Sequence, residues 1–275
     1  MLNLLTEMLS YPFMLRALVV GILISLCAAL LGVPLVLKRY SMIGDGLSHV
    51  GFGALAIATA LRAAPLAVTL PVVVLAAFFL LQLHDSSKIK GDAAIALIST
   101  GSLALGVMVL SLTPGMNTDI NNFLFGSILG VGEDEMWLTV GLSLMVILLY
   151  GLSYNRIFAL TFDESFAQAT GLRTKVYNTL LALLTAVTIV LGMRTMGSLL
   201  ISSLIVFPAL SSMQLLRSFR SVLLLSVLIS LFCFISGLIL SYLYSAPTGA
   251  SVALLHVAVF ILFAAIARIK PRLDS

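Results

Sequence analysis

Long apolar runs, separated by short polar breaks, dominate the chain. Crossing about 30 Å of hydrocarbon takes roughly 20 apolar residues in a helix. Runs near that length occur at Ala17–Leu37, Ser41–Leu61, Leu66–Leu83, Ala93–Thr113, Met136–Ser153, Val176–Met193, Ser198–Leu215, Val222–Tyr244 and Ser251–Ala267. The pattern predicts an all-α, polytopic transmembrane bundle of nine spans, or eight if one short run does not cross. Asn121–Gly132 is too short to cross and is broken by glycine, so it reads as a re-entrant or interfacial piece. No polar stretch is long enough to form a separate soluble unit. Residues 1–275 therefore read as one transmembrane domain, with residues 154–175 as its largest cytoplasmic segment.

Composition sharpens this picture. The chain is 61% hydrophobic and 9% charged, with a mean hydropathy of +1.18. A soluble domain carries about 25% charged residues. The net charge of +4 then reports topology rather than nucleic-acid binding. With the N-terminus outside, twelve basic residues fall on the cytoplasmic side: Lys38, Arg39, Lys88, Lys90, Arg156, Arg173, Lys175, Arg217, Arg220, Arg268, Lys270 and Arg272. Arg16, Arg62 and Arg194 fall outside, as does the acidic run Glu133-Asp134-Glu135, which the rule does not penalise there. Basic residues favour the cytoplasmic face, so the expected topology is N-terminus outside and C-terminus cytoplasmic. Cys27 and Cys233 both lie in apolar runs, and neither a disulfide nor a Cys-x-x-Cys metal cage is expected. Met1 to Pro12 lacks the basic start of a cleavable signal.

One span carries chemistry. Within Tyr40-Ser41-Met42-Ile43-Gly44-Asp45-Gly46-Leu47-Ser48-His49-Val50-Gly51, Asp45 and His49 stand four residues apart. On a helix they share one face. An ionisable pair in lipid is expensive and marks a pathway or a site. Carboxylate oxygen and imidazole nitrogen together suit a divalent cation. Two donors do not complete a coordination shell, so other residues or a second copy of the chain must contribute. His256, in the last span, reads as a satisfied or pore-facing side chain, and His84 with Asp85 as a solvated turn. Asp119 and Asn122 flank the outer mouth, where they either meet an arriving ion or cap the short segment that follows.

Two further features have a mechanical character. Asp163 to Thr170 holds helix formers with an acid at its start and Gly171 at its end, which predicts a short surface helix. Small residues crowd the second span (Gly44, Gly46, Gly51, Gly53) and the seventh (Gly197, Ser198, Ser202, Ser203). Most of these are read as packing positions that let helices approach closely. Pro208 removes a backbone donor and is expected to kink the seventh span.

No Gly-x-x-x-x-Gly-Lys-Ser/Thr phosphate loop is present, nor a His-Glu-x-x-His or Gly-x-Ser-x-Gly motif, so nothing points to catalysis. A secondary transporter would show inverted repeats and several intramembrane charges. No clear repeat is seen, and Asp45 is the one acid inside an expected span.

Four stretches resemble the integral-membrane permeases of metal-ion ABC importers, the ABC-3 type, which take up zinc, manganese or ferrous iron in bacteria. Gly44-Asp45-Gly46-Leu47-Ser48-His49 looks like the family's Gly-Asp-x-Leu-[Ala/Ser]-His signature. Asp119 through Phe125-Gly126 is similar to its outer-mouth segment. Asp163-x-x-x-Ala167-x-x-x-Gly171 is similar to its cytoplasmic coupling segment. Gly197-Ser198 through Ser202-Ser203 to Pro208-Ala209 is similar to its small-residue run ending in Pro-Ala. Ser211-Ser212 departs from the Ala-Thr-Ala-like continuation of relatives. The resemblance implies a homodimer in the bacterial inner membrane, served by cytoplasmic ABC ATPase subunits and an extracytoplasmic metal-binding protein. Asp45 and His49 would contact the passing metal, and Asp163–Gly171 would dock into the ATPase. No permanently bound cofactor and no nucleic acid are implied. The surroundings of the signature look most like the zinc permeases, so zinc is the first expectation as cargo, followed by manganese and then ferrous iron.

Overall fold

The structure is a computed structural model that describes residues 10–86, 91–113 and 130–269. These residues form ten helices and no strand: α1 (Pro12–Leu37), α2 (Ile43–Ala60), α3 (Pro65–Ser86), α4 (Gly91–Leu112), α5 (Glu133–Phe162), α6 (Glu164–Ala169), α7 (Thr174–Met196), α8 (Ser198–Leu215), α9 (Phe219–Tyr244) and α10 (Thr248–Ile269). Nine of them coincide with the nine expected apolar runs, and α6 is the short helix foreseen after Asp163. Seven are long and apolar enough to cross a membrane: α1, α4, α5, α7, α8, α9 and α10. In α2, Asp45, His49 and four glycines dilute the apolar content.

Several boundaries differ from expectation. Helix α5 continues through Tyr154-Asn155-Arg156 to Phe162, so the first nine residues of the expected cytoplasmic segment are its last turns. None of these three residues is a helix breaker, and a helix leaving a membrane has no reason to stop at the apolar boundary. For the same reason α3 runs to Ser86, which places His84 and Asp85 on a helix rather than in a turn. Asp119, Asn122 and the rest of the outer-mouth segment to residue 129 lie outside the described residues.

Helix α1 sits at the centre. Ala17, Val20, Ile24, Ala28, Leu31 and Leu35 are all buried, and the helix packs on α5, α7, α8 and α9. Helix α2 lies against α3, α4, α7 and α8, while α10 covers α8 and α9. The exterior is apolar instead of polar: Leu97 and Met108 of α4, Leu148 and Leu152 of α5, Leu228 and Phe232 of α9, and Leu254 and Ile261 of α10 are exposed. Only lipid or another apolar surface covers such a belt favourably.

With apolar surroundings outside as well as inside, helix contacts depend on close approach at small residues. A Cβ built on Gly32 would lie 2.1 Å from the backbone oxygen of Ile205, and one on Gly21 would sit inside the Phe234 ring. Ser230 Oγ also donates to the Ser25 carbonyl across the α9–α1 contact, at 3.1 Å. Cys27 and Cys233 are buried free thiols.

Polar ties mark the two ends of the bundle. At one end Lys38, the residue that caps α1, meets Glu164 of α6 and Asn178 of α7. At the other, Arg194 of α7 pairs with Glu135 of α5. Alternation of the helices then places Arg39, Arg156, Arg173, Lys175, Arg217, Arg220 and Arg268 at the Lys38 end, and Arg16 and Arg62 at the Arg194 end.

The glycine contacts yield a paired prediction. Gly32→Ala forces a backbone clash and should destabilise by about 1–3 kcal/mol. Gly101→Ala on α4 has nothing within 4 Å of the new Cβ and should be neutral or stabilising by about 0.5–1 kcal/mol. Thermal unfolding of both variants in detergent, side by side, checks the contrast.

Candidate metal site

The site grows from the way α2 is packed. Gly44 faces α8, where its missing Cβ would lie 3.5 Å from Ser202 Cα and 3.3 Å from Ile205 Cδ1. Gly46 faces Ile95 of α4, and Gly53 the carbonyl of Ser102 on the same helix. Gly51 faces Met193 of α7 and Val73 of α3. Successive helical residues are rotated by about 100°, so Asp45 lies between the directions of Gly44 and Gly46. The stripe that carries Asp45 and His49 therefore faces the gap between α4 and α8.

On that stripe His49 Nε2 stands 3.6 Å from Asp45 Oδ2. The Asp45 side chain is 45% exposed and that of His49 15%. His49 Nδ1 is buried and has no hydrogen-bond partner. Asp45 is in the first turn of α2, and His49 is about 9 Å along it, shallower than a span starting at Ser41 would put it. No group of three or more His, Cys, Asp or Glu forms among the described residues. One chain thus presents two donors and an open flank.

Neighbouring polar groups are already used. Ser202 Oγ donates to the Ser198 carbonyl at 3.0 Å, and Ser48 Oγ to that of Gly44 at 2.7 Å. Gly197 separates α7 from α8 with φ +89°, a value that favours glycine, and Ser198 is buried directly after it. Pro208 lies inside α8 and is buried. His256 is buried away from the pair, with Nδ1 3.0 Å from the Val252 carbonyl and Nε2 unpartnered.

Asp163, Ala167 and Gly171 each have a backbone task in α6. Asp163 caps the helix, its Oδ1 accepting from the Phe166 N–H at 2.8 Å. Gly171 follows the helix with φ +87°. Its N–H donates to Gln168, and that of Leu172 to Ala167, both at 3.0 Å, which is a Schellman closure. Ala167 is buried, so the helix rests on its small face. Between the end of α5 and the start of α9 lies an open cleft of about 770 Å³ lined by Tyr154, Phe158, Phe162, Arg217, Phe219 and Arg220. No local pattern foreshadows this cleft, because Phe158 and Phe162 meet Phe219 only through the fold.

A model described as the ABC 3 transport family matches residues 10–267. The chain belongs to the ABC 3 transport family. Among curated relatives, the manganese transport system membrane protein MntC of Halalkalibacterium halodurans is 28% identical over 256 residues, spanning 93% of this chain and 88% of that one. A Haemophilus influenzae protein named "Probable iron transport system membrane protein" is 30% identical over 280 residues, spanning 99% and 100%. A chain in the solved structure of PsaBC from Streptococcus pneumoniae, in complex with Fab, matches with TM-score 0.84 at 27% identity, over 96% of this chain and 95% of that one. As an ABC 3 family member with seven helices able to span a bilayer, the chain is a multi-pass membrane protein and the transport component, not the ATPase. The resemblance carried by the Gly44–His49 signature is thereby borne out at the level of the family.

The α6 cap is directly testable. Asp163→Ala should speed hydrogen exchange at the Phe166 amide and cost about 1 kcal/mol of local stability, whereas Asp163→Asn keeps the acceptor and should preserve protection. Exchange read by mass spectrometry on the 163–171 peptide distinguishes them.

Proposed function

We propose that this ABC 3 family chain forms the membrane pathway of an ATP-driven importer for a divalent transition metal. The observation that carries the reading is the Asp45–His49 pair. It occupies the one polar stripe of a helix otherwise packed through glycines, and its imidazole keeps an unused nitrogen. The half-built donor set supports a homodimer in which a second copy supplies the remaining ligands. Cytoplasmic ABC ATPase subunits and an extracytoplasmic metal-binding protein complete the assembly. The clustering of basic residues at the Lys38 end supports an orientation with that end cytoplasmic and the N-terminus outside, in a bundle of eight or nine spans.

In this scheme the binding protein docks at the outer mouth, where Asp119 and Asn122 are expected, and releases the ion. The ion exchanges water for Asp45 and His49. Closure of the ATPase moves the Asp163–Gly171 helix, and the bundle alternates between outward and inward access. Gly197, Ser198, Ser202 and Pro208 would serve as the pliant, close-packed junction of α7 and α8.

Carboxylate with imidazole suits zinc, manganese and ferrous iron alike. The relatives are named for manganese and iron, so manganese stands level with zinc as the proposed cargo. An ATP-independent secondary transporter is the rival class. Uptake that survives ATP depletion but collapses with an ionophore would favour it.

Asp45→Ala with His49→Ala should abolish metal uptake while the chain remains in the membrane at native level. Full uptake by that double variant would refute the site. The metal content of cells lacking the chain, measured element by element, should show a deficit in the cargo alone.

A further inference from the structure

Lys38, Glu164 and Asn178 close a ring of hydrogen bonds between three helices far apart in sequence. Lys38 Nζ donates to Glu164 Oε2 at 3.1 Å and to Asn178 Oδ1 at 2.8 Å. Asn178 Nδ2 donates to Glu164 Oε1 at 2.6 Å. Both carboxylate oxygens and both ends of the amide are used. The ring is sheltered: the Lys38 side chain is 12% exposed and that of Glu164 32%. A sheltered network with every member satisfied holds its elements in one arrangement.

What the ring joins gives it a role. Glu164 is the first residue of α6. Asn178 lies in the second turn of α7. Lys38 caps the C-terminal end of α1 and begins the turn into α2. That turn is stiff. The Lys38, Arg39 and Tyr40 N–H groups donate to the carbonyls of Pro34, Val36 and Leu35, and the Ile43 N–H donates to Tyr40. Tyr40 is buried. Asp45 is only seven residues beyond Lys38, in the first turn of α2. A displacement of α6 thus has a short polar route to the helix that carries the pair, in addition to its packing on α5 and α7.

We propose that Lys38 and Asn178 are positioning residues that link Glu164, and with it the movement of α6, to the α1–α2 turn and so to the Asp45–His49 pair. The inference rests on the proposed readings of α6 as the ATPase-docking segment and of the pair as the cargo site. Uncoupling is its signature. Loss of the ring leaves ATP hydrolysis running but no longer shifts α2.

The test uses the chain reconstituted in proteoliposomes with its ATPase and metal-binding partners, with Mn(II) and Zn(II) assayed in parallel. Metal imported and ATP hydrolysed are measured together. Lys38→Met and Asn178→Leu should each retain the ATPase and hydrolyse ATP within about two-fold of native, while metal imported per ATP falls about five-fold or more. The exchange Lys38→Glu with Glu164→Lys should restore most of the ratio, because the Asn178 amide can flip to serve the reversed charges. A native ratio in both single variants would overturn the proposal. So would uptake and hydrolysis falling together at constant ratio, which describes an ordinary stabilising contact. If the single variants do not assemble, the exchanged pair decides: assembly with a native ratio supports the linkage, and assembly without it, or no assembly, overturns it. Asp163→Arg, assayed alongside, reports on docking by itself. ATPase retained there sinks the α6 reading. ATPase released there, with a native ratio in Lys38→Met, sinks the linkage alone.

Discussion

Four glycines decide how near α2 comes to its neighbours. Gly44, Gly46, Gly51 and Gly53 each lie where a methyl group would press on or strike α8, α4 or α7. In a bundle whose exterior is as apolar as its core, such close approach replaces the hydrophobic drive that holds a soluble protein together. Its consequence for chemistry is direct. Helix α2 is fixed on its packed sides, and the stripe left over carries a carboxylate and an imidazole. A looser helix would let both side chains turn or snorkel away from each other. Gly44 and Gly51 share one face and Gly46 and Gly53 another, and the same packing that closes those two faces leaves Asp45 and His49 on the flank between them.

The pair is not isolated from the ends of the bundle. Asp45 belongs to the first turn of α2, directly after a turn closed by four backbone hydrogen bonds. That turn shares its end of the molecule with α6, a helix of six residues held by an aspartate cap and a glycine stop. At the opposite end, Arg194 pairs with Glu135 just before Gly197 breaks the chain between α7 and α8. Helix α7 therefore carries polar ties at both ends, to α5 at one and to α6 and α1 at the other. Moving any one of these helices relative to α7 requires those ties to shift or part.

Much of this was legible in the sequence, for identifiable reasons. Each apolar run became a helix because length and hydropathy leave a membrane chain no other way to satisfy its backbone. Asp163 and Gly171 announced α6 because cap chemistry is local. Asp45 and His49 were conspicuous because ionisable groups are rare in such runs. The ends of α3 and α5 lie beyond the apolar runs because polar residues such as Asn155 and Arg156, neither of them a helix breaker, carry the helix on. Lys38 reads in the sequence only as a topological charge, since its partners stand 126 and 140 residues away. No local pattern encodes such a meeting. Arg194 likewise reads in the sequence only as one of three basic residues on the outer side, although it pairs with Glu135 of the acidic run.

The account turns on whether a metal ion in transit is held by the imidazole of His49. Pulsed electron paramagnetic resonance of Mn(II) trapped in the reconstituted transporter reads that bond directly, through the coupling of the ion to ligand nitrogen. The native complex should show histidine nitrogen coupling, and His49→Gln should lack it. Nitrogen coupling that persists unchanged in His49→Gln, or a trapped ion with no nitrogen ligand in the native complex, would contradict the account.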